Sequence, residues 1–158
     1  MHKIGDTVVY GMTGVCKIAD IEKKDFIDNK LMDYYVLKPV HSGNSTIYAP
    51  VDSSEQRIRP MLSKDEVMDI IKKVSGETPE VRSFFDKDKC SEIMKSGDRC
   101  ELMRLIRQMS ASKKAVLKLG RKFHIANENI LRTAQKLLCD EFSAVLEITP
   151  DEVLPMIL

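Results

Sequence analysis

Ile58-Arg59-Pro60-Met61-Leu62-Ser63-Lys64-Asp65-Glu66 is the stretch that decides the fold, because two hydrophobic periods meet there. Ser63-Lys64-Asp65-Glu66 is a capping box: the Ser hydroxyl can accept from the third helical amide while the Glu carboxylate reaches back. Beyond it, Val67, Ile70, Ile71 and Val74 recur at helical spacing. Before it, the chain runs in short β-branched and aromatic segments. The pattern predicts an α+β chain with a boundary near residue 60: a small β-barrel over residues 1–60 and an all-α helical C-terminal domain over 61–158.

Working back from the boundary, Thr7-Val8-Val9-Tyr10 is a strand, broken by Gly11-Met12-Thr13-Gly14. Val15 to Glu22 is a second, with apolar residues on both faces, as in a small, tightly curved sheet. Asp28-Asn29-Lys30 is a turn. Met32 to Lys38, centred on Tyr34-Tyr35-Val36-Leu37, is the strongest strand. Ser42-Gly43-Asn44 turns again. Ser45-Thr46-Ile47-Tyr48-Ala49 follows and stops at Pro50, which a strand end tolerates.

Working forward, a short helix over Asp86 to Lys95 should stop at Gly97. Leu102, Met103, Ile106 and Met109 mark another helix. Ile130, Leu131, Ala134, Leu137, Leu138, Phe142 and Val145 mark the longest one, with Asn127 as its expected cap. Thr149-Pro150-Asp151-Glu152 is a second capping box that opens a short final helix.

With 158 residues, 43% apolar and 31% charged, the chain is suited to one ordinary domain or two small ones. No apolar run approaches the ~20 residues of a membrane span, and the first residues carry no apolar signal core, so a cytoplasmic protein is expected. Cys16, Cys90, Cys100 and Cys139 are scattered, without metal-ligand spacing, and read as reduced thiols. His2, His41 and His124 have no partners at helical spacing. Gly11-Met12-Thr13-Gly14 lacks the Lys-Ser/Thr of a phosphate loop and precedes a strand. Asp86, Asp88 and Glu92 can share a helix face, where solvated carboxylates are the ordinary reading. No catalytic residue, metal or cofactor is expected.

The net charge of +1 conceals a strong asymmetry. Residues 99–136 carry ten Lys/Arg against two Asp/Glu, whereas residues 137–158 carry none against five. A basic block in an otherwise balanced chain points to a polyanion surface. Lys114, Lys118 and Arg121, at i, i+4 and i+7, would share one face of a helix. Arg104 and Arg107 lie one turn apart. Such residues can neutralise phosphates without reading sequence; the alternative is a solvated helix face. Phe84-Phe85 has two readings as well, core packing or an apolar wedge against a nucleic-acid step. Adjacent side chains point apart, so one ring should be core and the other outward. Phe85 and Lys89, at i and i+4, would place a ring beside a cation.

Lys3-Ile4-Gly5-Asp6-Thr7-Val8-Val9-Tyr10, Gly14, Tyr34-Tyr35-Val36-Leu37-Lys38 and Ala49-Pro50 resemble the N-terminal module of the CarD/CdnL transcription regulators. A similar module occurs in the transcription-repair coupling factor. Ser96-Gly97-Asp98, Ala134-Gln135-Lys136-Leu137-Leu138 with Glu141, and Val145-Leu146-Glu147-Ile148-Thr149-Pro150-Asp151-Glu152-Val153 resemble the family's helical domain. The resemblance implies a Tudor-like β module that binds the RNA polymerase β subunit, with Lys24, Tyr48 and the adjacent Ile47 at the contact. It also implies a helical domain that touches promoter DNA at the upstream edge of the melted region, mainly through the backbone. Ser83 occupies the position of the family's tryptophan wedge, flanked by Phe84 and Phe85, and the chain has no tryptophan. Basic positions of the penultimate helix fall at Glu128 and Thr133, and a basic position of the polymerase contact falls at Tyr48.

These readings lead to a monomeric, non-enzymatic regulator that docks on polymerase and lays Ser83, Phe84, Phe85, Lys114, Lys118 and Arg121 against DNA. A polymerase-bound adaptor without DNA contact is the alternative, and a small enzyme is the third reading.

Overall fold

The computed structural model describes residues 2–41, 43–52 and 57–158; Ser42 of the expected Ser42-Gly43-Asn44 turn lies outside them. The chain divides into two compact units, Met1–Met61 and Leu62–Leu158.

The first unit is one antiparallel sheet of β1 (Thr7–Tyr10), β2 (Gly14–Ile27), β3 (Lys30–Pro39), β4 (Ile47–Pro50) and β5 (Ile58–Pro60), in the order β4-β3-β2-β1-β5. β2 extends past Glu22, where its alternation weakens, to a two-residue turn. Asp28 and Asn29 there both have φ of 52°, as the primed hairpin turns require. Register shifts between Ile18 and Asp20 and between Lys24 and Ile27 bend β2 on the way. Val8, Cys16, Ile18, Tyr35, Leu37, Ala49 and Ile58 form the core, and Ile47 packs partly buried against it. Tyr34 and Val36, on the opposite face of β3, are also buried, so the middle of that strand has no wet side.

Where the spacing predicted a small closed barrel, the described residues form an open sheet. β4 pairs only with β3 and β5 only with β1.

The second unit holds α1 (Lys64–Ser75), α2 (Lys87–Ser96), α3 (Arg99–Lys118), α4 (Ile125–Leu146) and α5 (Pro150–Ile157). Ser63 closes the capping box of α1 with Glu66, Asp86 caps α2, and Gly97 ends α2 in the left-handed conformation. α3 and α4 pack together, α1 lies on both, α2 on α3 and α5 on α4. Met103, Ile106 and Met109 from α3 meet a core that includes Leu138 and Phe142 from α4, all fully buried.

A buried ion pair ties the start of α3 to α4. Arg99 Nε donates to Glu141 Oε1 at 3.1 Å and to Oε2 at 2.9 Å, while Arg99 Nη1 donates to the Gly97 carbonyl. Asn127 does not cap α4. The helix begins at Ile125, with His124 at the cap position and no side-chain cap bond.

Candidate functional site

Two surfaces carry the residues singled out by sequence, one on each unit.

On the sheet, β3 separates β2 from β4, yet Lys24 and Tyr48 come together on one face. Lys24 Nζ pairs with Glu22 at 3.2 Å and lies 5.9 Å from the centre of the Tyr48 ring. Phe26 fills the space between the strands, edge-on to Tyr34 at 5.2 Å and to Tyr48 at 5.3 Å between ring centres. Phe26 is nevertheless exposed, so an aromatic cluster with one cation opens to solvent beside the β4 edge. Sequence reasoning missed Phe26 because Lys23-Lys24-Asp25-Phe26 lacks alternation; only its place just before a turn marked it. Ile47 lies on the other side. It pairs with Leu37 on the core side of the sheet, opposite to Tyr48, as strand alternation demands of neighbours. Ile47 supports the site from behind and is not part of the exposed face.

On the helical unit, Phe84 and Phe85 separate as adjacency predicts. Phe84 is 75% exposed and Phe85 is 9% exposed. Phe85, one of the residues expected at the DNA contact, is buried in the core. It precedes the cap residue Asp86, so it is not on α2 and shares no helix face with Lys89. Its position and that of Cys90, both buried, are those paired by a hydrophobic staple. Ser83 is exposed next to Phe84. The loop is pinned to α3, because the Arg82 amide donates to Ser112 Oγ at 2.9 Å, and that hydroxyl donates to the Gln108 carbonyl at 2.7 Å.

The basic block divides into committed and uncommitted cations. Arg104 grips both oxygens of Glu77, at 2.8 and 3.0 Å, and also reaches Glu101. Those bonds, Arg104 first among them, hold the Glu77 carboxyl below its ordinary range. Arg107 donates to the carbonyls of Val74 and Glu77, closing the open end of α1. Both arginines are thus engaged within the fold. Lys113 pairs with Glu128 at 2.9 Å across α3 and α4. Lys114, Lys118 and Arg121 are exposed and, among the described residues, form no ion pair. The expected single helix face ends at Lys118. The chain then turns at Gly120, with φ of 71°, so Arg121 lies beyond the helix and off the i, i+4, i+7 line.

The Asp86 carboxylate is spent on the Asp88 and Lys89 amides. Among the described residues no group of three or more His, Cys, Asp or Glu side chains is gathered to hold a metal. No described helix is long and apolar enough to cross a membrane.

The sheet thus presents an exposed aromatic–cation face, and the helical unit an exposed ring and cations that form no ion pair among the described residues. Residues 2–62 match the family model of the CarD-like/TRCF RID domain. Over 158 residues the chain is 26% identical to the Bacillus subtilis (strain 168) protein "Putative transcription factor YdeB", covering 97% of each. The N-terminal unit is thus similar to the CarD-like/TRCF RID domain, and the chain along its whole length is similar to that transcription factor.

Proposed function

We propose that this protein is a transcription regulator that binds the RNA polymerase β subunit through its N-terminal domain and modulates promoter opening through its helical domain. The coarse reading, a transcription-related and polymerase-interacting role, follows from the family match and the full-length relative. The open sheet is taken as a variant of the Tudor-like module, with residues 1–60 docking and 61–158 contacting DNA as a cytoplasmic monomer. Docking uses Lys24, Phe26 and Tyr48, with the unpaired side of β4 available for a partner strand. An aromatic cluster beside a cation has the composition of an interface hot spot.

The observation that carries the DNA contact is Phe84. A large ring held in solvent, on a loop hydrogen-bonded to the same helix that carries Lys114 and Lys118, has no role in the core. At 1.5 Å per residue, Lys118 lies about 9 Å along α3 from the Ser112 anchor. Ring and cations can therefore engage one stretch of DNA, the cations on phosphates and the ring against an unstacked base. Binding the melted promoter better than the closed one shifts the opening equilibrium by that difference in affinity alone. The test is open-complex lifetime under heparin challenge. Wild-type protein should lengthen it and Phe84→Ala should shorten it towards the value without regulator.

A second reading, a polymerase-bound adaptor without significant DNA contact, is favoured by two observations. Ser83 stands at the tryptophan position, and two of the block's arginines are committed within the fold. Unchanged lifetime with Phe84→Ala, together with intact β-subunit binding, would select it.

A further inference from the structure

The turn between α3 and α4 combines features that the DNA-contact reading above does not use. From Leu102 to Asn127 the sequence has no Asp or Glu. At its centre, Leu117, Leu119 and Ile125 are exposed large apolar side chains, the last two at 70% and 78%. Arg121 and Lys122 lie between them and are exposed. Turns are ordinarily built from Gly, Asn, Asp and Ser, and single exposed apolar residues are common, but three within nine positions at a hairpin tip are not.

Local structure does not require them. α3 ends in a Schellman motif: the Gly120 amide donates to the Leu117 carbonyl at 3.0 Å and the Arg121 amide to the Val116 carbonyl at 3.1 Å. That motif needs left-handed Gly120 and the two backbone bonds, so it makes no use of the Leu119 side chain. Ile125 opens α4, where a β-branched residue adds nothing to helix propensity. The hydrogen bonds fix the backbone of the turn, so little backbone order is lost on contact.

We propose that the α3–α4 turn is a second insertion point into duplex DNA, with Leu119 and Ile125 as an apolar wedge and Lys118, Arg121 and Lys122 on the flanking phosphates. The proposal rests on the DNA-contact reading and adds to it a distortion of the duplex. Apolar side chains of this kind, flanked by Arg and Lys, partly unstack a base step in minor-groove binders. The arrangement differs from that of a membrane-surface helix, which carries an apolar stripe along its length. Here the exposed apolar groups cluster at the turn, while the cations run back along α3 through Lys118 to Lys114.

The experiment uses the full-length protein and an AT-rich duplex carrying 2-aminopurine at a flexible TpA step. Wild type should bind and raise the 2-aminopurine fluorescence. Leu119→Ser with Ile125→Ser should abolish the rise and weaken binding about tenfold, with the salt slope kept. Leu119→Met with Ile125→Met should retain the rise. Lys122→Gln should lower the salt slope by about one. Thermal unfolding should be near wild type for all variants, because the altered side chains are exposed. If the double Ser variant keeps both affinity and fluorescence rise while Lys122→Gln lowers the slope, the wedge is overturned and the DNA-contact reading stands. If wild type binds no duplex, both are overturned. Binding to phosphatidylglycerol vesicles that depends on Leu119 and Ile125, with no fluorescence rise on DNA, overturns the wedge in favour of a lipid surface.

Discussion

Phe84 and Phe85 are consecutive in the chain, yet the first ring stands in solvent and the second is sealed in the core of the helical unit. The separation follows from Asp86 capping α2 immediately after them: the residue before the cap turns inward and the one before that turns out. Phe85→Ala should therefore cost about 3 kcal/mol of stability, at the low end for a buried Phe, because the ring keeps slight exposure. Phe84→Ala should change stability by less than about 0.5 kcal/mol. Denaturant unfolding of the two variants, run beside the heparin challenge, separates structural from functional loss. Equal destabilisation would contradict this assignment.

Arg99 and Glu141 form the most buried ion pair among the described residues, with side chains 13% and 7% exposed. Glu141→Ala leaves the guanidinium largely buried without its carboxylate, and destabilisation of about 3–5 kcal/mol is expected. Replacing both partners should cost less than Glu141→Ala alone. A denaturant double-mutant cycle measures the coupling directly.

Glu77 carries a pH signature. Its carboxyl titrates below the ordinary 4.5 because Arg104 hydrogen-bonds the charged form. A lowered folded-state pKa means that the folded protein binds the proton less readily than the unfolded chain. The stabilisation is therefore complete above pH 4.5 and is lost as the pH falls through the lower folded value. Glu77→Gln should melt below wild type at neutral pH, and the two melting temperatures should converge on acidification. A difference that persists undiminished into acid would contradict the sign.

The four cysteines should differ in reactivity. Burial pushes the thiols of Cys16 and Cys139 up to about 11 and raises that of Cys90 as well. Cys100 alone is not buried. A thiol reagent at neutral pH should modify Cys100 in the native protein and all four only after unfolding.

The sequence made the architecture readable where a rule is local. The Ser63 capping box, the Gly97 stop and the apolar periods of α1, α3 and α4 each act over a turn or two. Placement across strands was harder to read. Phe26 meets Tyr48 only because bulges bend β2 and β3 lies between, neither of which neighbouring residues announce. The commitments of Arg104 and Arg107 were hidden for the same reason, since their partners lie 27 and more positions away. Charge counts locate a basic block, but only the fold says which of its cations are spent. Strand alternation could have placed Ile47 and Tyr48 on opposite faces from sequence alone, and the family resemblance drew them together.

That face also supplies the most direct test of the account, binding of the full-length protein to an isolated lobe of the polymerase β subunit at low and moderate salt. Binding should be present, weakened about tenfold by Phe26→Ala, and weakened with altered salt dependence by Lys24→Glu. Ile47→Ala should act through stability instead, lowering the unfolding midpoint more than it lowers the affinity of the folded protein. No binding by the wild type at low salt, or affinity indifferent to both Phe26→Ala and Lys24→Glu, would contradict the claim that this protein docks on polymerase through the Lys24–Phe26–Tyr48 face.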